Sequence, residues 1–185
     1  MVIVITGAIG SGKSYVAEKL QQRGIKVYDC DRAAKRLMND NEKLKKRLTD
    51  LVGDNTYNNE GRLNKAVVSR FLLLSEENKQ KINDVVHPFV AEDFKKSGYS
   101  WIESAIYFES GFDKRIKAGK VVCVTAPLEV REKRIMTRDN ISQKQALQWI
   151  TAQMSQEEIL KKSDIEIIND GSADVDKQID DLIKK

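Results

Sequence analysis

Near the start of the chain, Gly7-Ala8-Ile9-Gly10-Ser11-Gly12-Lys13-Ser14 places two glycines, a lysine and a serine at the spacing of a phosphate-binding loop. Glycines let successive backbone N–H groups curl toward one anion. Lys13 can reach the β- and γ-phosphate oxygens of a nucleoside triphosphate, and the Ser14 hydroxyl can hold Mg²⁺. Donor contacts are therefore expected at Ala8, Ile9, Gly10, Ser11, Gly12, Lys13 and Ser14. Such a loop needs a strand before it and a helix after it, whose N-terminal end adds positive potential. The apolar run Val2-Ile3-Val4-Ile5-Thr6 and the amphipathic stretch from Tyr15 to Arg23 supply that context. A glycine-rich turn that binds nothing would leave both flanks unexplained.

GTPases, ATP-driven machines and small-molecule kinases all use this loop. The Asn-Lys-x-Asp guanine reader is missing, because Asn64-Lys65 leads into Ala66-Val67. The one Asp-x-x-Gly, from Asp50 to Gly53, closes a charged helix rather than a strand, which makes it a poor GTPase switch. At 185 residues the chain is short for a mechanical ATPase. A kinase needs a base for the acceptor hydroxyl and cations for the transferring phosphoryl group. Asp29 and Asp31 flank Cys30 at the end of a second apolar run, beside the loop. One of the pair can take the acceptor's proton while the other supports Mg²⁺ or an outer contact. Asp31 also has a plainer reading, as the cap of a helix beginning at Arg32, and it can fill both roles. Arg131, Arg134 and Arg138 share one helical face and suit a lid over a triphosphate. The competing reading, a solvated charged face, fits Arg131 and Lys133 better than Arg134 and Arg138.

The elements that must position these groups alternate. Gly24 stops the first helix, and Ile25 to Asp29 is a second strand. Helices are predicted over Asp31–Met38, Asn41–Leu51, Leu63–Leu74 and Ser75–Lys96, with a turn-rich connection from Gly53 to Gly61. Pro88 is expected to break or kink the last of these near His87. Further strands are predicted around Trp101–Tyr107, at Lys120–Thr125 and at Ile165–Ile168, with a closing helix over Val175–Ile183. Pro127 opens the arginine-bearing helix, and the pairs Ser142/Gln145 and Ser155/Glu158 have capping-box spacing. Alternation of this kind predicts a parallel sheet covered on both faces, with ligands at the C-terminal edge of its strands.

Composition narrows the partners. With 41% apolar and 32% charged residues the chain is expected to be a soluble single domain. Its net charge of +4 suits an anionic small molecule and is too small to argue for nucleic acid. Cys30 and Cys123 form no metal-ligand pattern and read as buried, reduced thiols of a cytosolic protein. No apolar run approaches membrane-spanning length, and the first strand leaves no room for a signal peptide. A cytoplasmic protein without membrane or nucleic-acid partners is expected.

Taken together, the motifs resemble the dephospho-coenzyme A kinase family over nearly the whole chain. Thr6 to Ser14 is similar to that family's Thr-Gly-Gly-Ile-Gly-Ser-Gly-Lys-Ser/Thr loop, and Asp29-Cys30-Asp31 to its Asp-Ala-Asp. Gly61-Arg62-Leu63-Asn64-Lys65 with Phe71, then His87-Pro88, fit two segments of its middle region. Arg134, three residues, then Arg138-Asp139-Asn140 resembles its lid, while Gln153 to Glu158 and Ile168 to Ser172 match two more motifs. There are departures. Ala8 replaces a glycine, which is tolerable if its φ stays negative, and Cys30 replaces an alanine. Lys65 replaces an arginine and loses the guanidinium fork. A proline is missing from Ser104-Ala105-Ile106-Tyr107-Phe108-Glu109.

The resemblance implies an α/β fold of the P-loop NTPase type, a three-layer sandwich around a five-stranded parallel sheet in the order 2-3-1-4-5. Its core would take about residues 1–36, 100–130 and 163–185, with a helical acceptor-binding segment at about 37–99 and a helical lid at about 131–162. It implies transfer of the γ-phosphoryl group of ATP, with Mg²⁺, to the ribose 3′-hydroxyl of dephospho-coenzyme A, by a monomer or weak homo-oligomer. Carried over by position, Asp31 is the base, Lys13 stabilises the phosphates and Ser14 ligates Mg²⁺. Arg138 is the lid cation with Arg134 behind it, both on ATP. Asp29, Asp31, Lys65, His87 and Glu109 face the acceptor. His87 keeps a second reading as a packed core residue. Glu103 keeps two, a contact at the phosphate edge or a place at the sheet margin. Trp101 and Trp149 read as core or edge packing. Two rivals share the loop: a kinase for another acceptor, such as a nucleoside monophosphate, and a non-catalytic nucleotide switch. The Asp29/Asp31 pair argues against the switch, which needs no acceptor base.

Overall fold

The computed structural model describes residues 1–184. Its strands are β1 (Ile3–Thr6), β2 (Val27–Asp29), β3 (Trp101–Glu103), β4 (Lys120–Thr125) and β5 (Ile165–Ile168). Its helices are α1 (Lys13–Gln22), α2 (Cys30–Asp40), α3 (Glu42–Val52), α4 (Lys65–Leu74), α5 (Glu76–Ser97), α6 (Leu128–Asp139), α7 (Gln143–Thr151), α8 (Gln156–Lys161) and α9 (Val175–Ile183). The strands form one parallel sheet in the order β2-β3-β1-β4-β5, as the resemblance implied. Its middle strands are short and almost wholly apolar, which suits a sheet covered on both faces. Ile5 stands opposite Glu103 on one side and Val122 on the other. That register sets the site.

The chain forms two compact units, Met1–Tyr28 with the chain from Tyr99 onward, and Asp29–Gly98. In the first, Val16 and Leu20 of α1 and Ile179 and Leu182 of α9 bury against Ile5, Val122, Val124 and Ile167 of the sheet. Ala8, Cys123 and Ile159 form a smaller core, with Phe108, Met154 and Leu160 packed against it. Arg23 pairs with Asp176 at 2.9 Å and Asp180 at 2.7 Å, and Lys19 pairs with Asp176 at 2.8 Å, so α1 and α9 are also joined by charge. Both cysteines are free and buried. Burial, with Glu166 nearby, pushes the Cys123 thiol up to about 11, so it stays protonated at neutral pH.

The second unit is helical. Asn41, Asn64 and Ser75 cap α3, α4 and α5 through their side chains. Leu37, Leu44 and Leu48 are buried, and so are Ile82, Val86, Val90 and Phe94, four positions that recur every fourth residue along one face of α5. That stripe explains a departure from expectation: α5 runs unbroken through Pro88. A proline inside a helix costs about 3 kcal/mol. Burying a valine or phenylalanine side chain contributes roughly 1.5–3 kcal/mol, and Val86, Val90 and Phe94 lie on both sides of it. Packing outweighs the missing donor.

Two other expectations change. β3 ends at Glu103 instead of continuing to Tyr107, because the chain turns there: Ser110 N–H donates to Ile106 O, and the Tyr107 hydroxyl donates to Ile116 O at 2.7 Å. Trp101 is buried, but Trp149 stands exposed on α7. No helix among the described residues is long and apolar enough to cross a membrane.

Candidate active site

β1 ends at Thr6 and the chain enters the phosphate loop, where Gly7, Gly10 and Gly12 have φ of 147°, 80° and 94°. None of these positions has room for a side chain: a Cβ at Gly7 would collide with the Val124 backbone oxygen. A Cβ at Gly10 would lie 2.8 Å from the Arg131 backbone oxygen, and one at Gly12 would collide with the Asn169 amide. Asn140 is the only non-glycine of positive φ among the described residues, so Ala8 keeps a negative φ and its methyl is buried without strain. The Ala8 carbonyl accepts from Ser11 N–H and from Lys13 Nζ, both at 3.2 Å. Lys13 is buried, with its ammonium group laid back across the loop. Lys13, Ser14 and Tyr15 begin α1, where backbone N–H groups have no partner within the helix and face an incoming anion.

Glu103 receives a place from the sheet. Its register opposite Ile5 sets it beside the loop, and its Oε1 accepts from the Ser14 hydroxyl at 2.6 Å. Of the two sequence readings, the sheet margin is the one excluded, since β3 lies between β2 and β1 and Glu103 sits beside the phosphate loop. A carboxylate inside a strand is a costly element of a core. At a strand's C-terminal end, next to a phosphate loop, it becomes a candidate cation contact.

The three arginines of α6 separate. Arg131 is buried and donates from Nε to Ala126 O at 3.2 Å, with desolvation lowering its pKa, so the solvated-face reading fails for it. Gly10 also approaches its backbone tightly. Lys133 is exposed, in line with that reading. Arg134 reaches the loop: Nη1 donates to Ser11 O at 3.2 Å and Gly10 O at 3.4 Å, and Nη2 to Asn169 Oδ1 at 3.5 Å. Arg138 is not brought to the loop. Its fork lies on Asp139 at 2.7 and 3.0 Å, with the side chain 61% exposed. Beside the loop lies a groove of about 470 Å³ lined by Gly12, Tyr15, Arg134, Asn169, Gly171 and Val175.

The expected acceptor residues are divided between the two units. Glu109 belongs to the first unit, exposed, with Oε2 accepting from Met154 N–H at 3.3 Å. Asp29, Asp31, Lys65 and His87 belong to the second. Asp29 ends β2 and is itself the cap of α2, accepting from Arg32 N–H at 2.8 Å. Sequence gave that capping role to Asp31, which instead lies exposed in the first turn of α2. Lys65 is exposed at the start of α4, and His87 is half-buried within α5.

Asn169 was not among the expected contacts. Buried at the end of β5, it donates Nδ2 to Ser11 O at 2.9 Å. The signal available was its place in Ile168-Asn169-Asp170-Gly171, a polar residue ending an apolar strand on the ligand edge.

Comparison with known proteins points to one family. The family model described as dephospho-CoA kinase matches residues 1–174. A dephospho-CoA kinase from Bacteroides fragilis is 39% identical, covering 98% of this chain and 90% of that protein. Among solved structures, a protein from Thermus thermophilus superposes with a TM-score of 0.81 at 30% identity, over 100% of this chain and 96% of its own. A dephospho-CoA kinase from Campylobacter jejuni gives a TM-score of 0.66 at 26% identity, over 99% and 95%.

Proposed function

The chain belongs to the dephospho-CoA kinase family, and from that premise we propose that it transfers the γ-phosphoryl group of ATP to the ribose 3′-hydroxyl of dephospho-CoA, giving CoA and ADP. The observation that carries this reading is the cluster at the loop, where buried Lys13, the Ser14–Glu103 pair and Arg134 all meet.

Each residue then has a task. The loop's N–H groups and the start of α1 hold the β-phosphate, and Lys13 exchanges the Ala8 carbonyl for β- and γ-phosphate oxygens. Arg134 supplies a fixed cation from the side, and Arg138 a second one on exchanging Asp139 for phosphate. Asp31 accepts the proton of the acceptor hydroxyl as its oxygen bonds to the γ-phosphorus and the bond to the β-phosphate oxygen breaks. Asp29 fixes the start of α2, and with it the position of Asp31. Lys65, His87 and Glu109 contact the acceptor.

Mg²⁺ fits the donor set at the loop: the Ser14 hydroxyl and the Glu103 carboxylate are hard oxygen ligands 2.6 Å apart. No group of three or more His, Cys, Asp or Glu side chains among the described residues could hold a metal ion, so phosphate oxygens and water would complete its shell. When bound, the ion neutralises charge between the β- and γ-phosphates.

Asp31→Asn tests the reading against a nucleotide switch. Turnover with dephospho-CoA should fall by about 10²–10⁴ while ADP affinity stays within about twofold. An ordinary turnover rate in the variant would remove Asp31 as the base.

A further inference from the structure

The Ser11 carbonyl is held by two side chains from outside the phosphate loop. It accepts Asn169 Nδ2 at 2.9 Å and Arg134 Nη1 at 3.2 Å. Asn169 is itself fixed at both ends. Its backbone N–H donates to Thr125 O at 2.8 Å, and its Oδ1 accepts from Arg134 Nη2 at 3.5 Å. Only 7% of the residue is exposed. A glycine at position 12 makes the approach feasible, because any Cβ there would occupy the space of the amide.

A peptide unit is planar and trans, so its C=O and N–H point in opposite directions. A carbonyl of Ser11 pinned outward therefore aims the Gly12 N–H of the same peptide into the concave side of the loop. From this we infer that Asn169 is a positioning residue for phosphoryl transfer: it orients the Ser11–Gly12 peptide toward the donor's phosphates and holds Arg134 against the same peptide. The inference rests on the kinase reading above. It adds that the end of β5 acts on the phosphates through the loop, without touching them. Two strands are thereby coupled to one peptide, β1 through the chain and β5 through one amide.

Chemistry distinguishes this role from space filling. Asn169→Ala removes the donor and leaves Arg134 alone on the carbonyl. Asn169→Asp keeps the shape, replaces the donor with an anion facing the Ser11 carbonyl, and draws Arg134 away. If Asn169 only fills space, the Asp variant is the milder of the two. If it orients the peptide, the Asp variant is the worse.

The experiment measures ADP and adenosine affinity by calorimetry for the wild type and both variants, with dephospho-CoA-dependent turnover as the second readout. The inference expects ADP affinity to fall about tenfold in Asn169→Ala, the value of one hydrogen bond near charge, and further in Asn169→Asp. Adenosine affinity and the KM for dephospho-CoA should stay within about twofold. Combining either variant with Arg134→Ala should cost less than the separate effects multiplied, since the two side chains share one carbonyl. An Asp variant that binds ADP better than the Ala variant overturns the inference. So do equal losses for ADP and adenosine, or a pair of variants neither of which folds, because the residue would then contact the base or hold the fold. Wild-type protein that shows no turnover with dephospho-CoA while binding ADP would instead overturn the kinase reading, leaving the affinity comparison intact.

Discussion

The phosphate-loop region and the helical segment from Asp29 to Gly98 are built on opposite plans. Around the loop Lys13 and Asn169 are buried, Glu103 and Arg134 half-buried and Ser14 exposed, and each is hydrogen-bonded to a neighbour within the loop region. Lys13 lies on Ala8 O, Ser14 on Glu103, and Arg134 and Asn169 on Ser11 O. In the helical segment Asp29, Asp31 and Lys65 stand exposed on helix ends, over a core of leucine, valine and phenylalanine that carries no chemistry. The groups proposed for the donor are thus organised in advance by the fold, which suits electrostatic work on a triphosphate. Asp31, Lys65 and His87, proposed for the acceptor, stand on a helical scaffold. Loss of a group in the first should therefore disturb nucleotide affinity, and loss in the second should spare it.

Variants can sharpen or break that contrast. Lys13→Ala has the largest expected effect, a fall in turnover of about 10²–10³ with clearly weakened ADP binding. Unchanged ADP affinity in titrations would put Lys13 on the acceptor side of the divide. Glu103→Gln comes next. The Mg²⁺ concentration for half-maximal rate should rise about 10–100-fold, with little change in the KM for dephospho-CoA. A normal metal requirement would return Glu103 to a structural role. Lys65→Ala should raise the KM for dephospho-CoA by about tenfold and leave that for ATP alone, the value of one charge-assisted hydrogen bond. A shift in the ATP constant instead would erase the distinction between the two regions.

The smallest effect is on stability. Lys19 and Arg23 hold the Asp176 carboxyl below its ordinary value of 3.8 through hydrogen bonds. A carboxylate lowered on folding stabilises the protein above its unfolded value, and that contribution is lost as pH falls through the folded one. Asp176→Asn should thus lower the melting temperature slightly at pH 7, by under about 2 °C for an exposed pair, and make no difference below the folded value. Thermal melts across that range would show it.

Sequence made the two regions unequally legible. The strand-loop-helix around Gly7 to Ser14 was plain because glycine spacing, an apolar run and an amphipathic stretch agree over adjacent residues. Sheet order was accessible only through the resemblance. The fates of Arg131, Arg134 and Arg138 were not visible, because shared helical periodicity says nothing about which turn of α6 approaches Gly10. Glu103 and Asn169 act across strand neighbours, Ile5 for one and Thr125 for the other, and pairing between distant segments leaves no local trace. Pro88 misled for the complementary reason. Local geometry predicts a break or a kink; no break occurs, and the buried stripe that prevents it is tertiary.

The most direct measurement of the central claim is ADP release with ATP and Mg²⁺, compared across dephospho-CoA, AMP, shikimate and water as acceptors, with the product identified by mass. The account predicts release that depends on dephospho-CoA and forms CoA. Turnover confined to another acceptor, or equal rates with water alone, would contradict it.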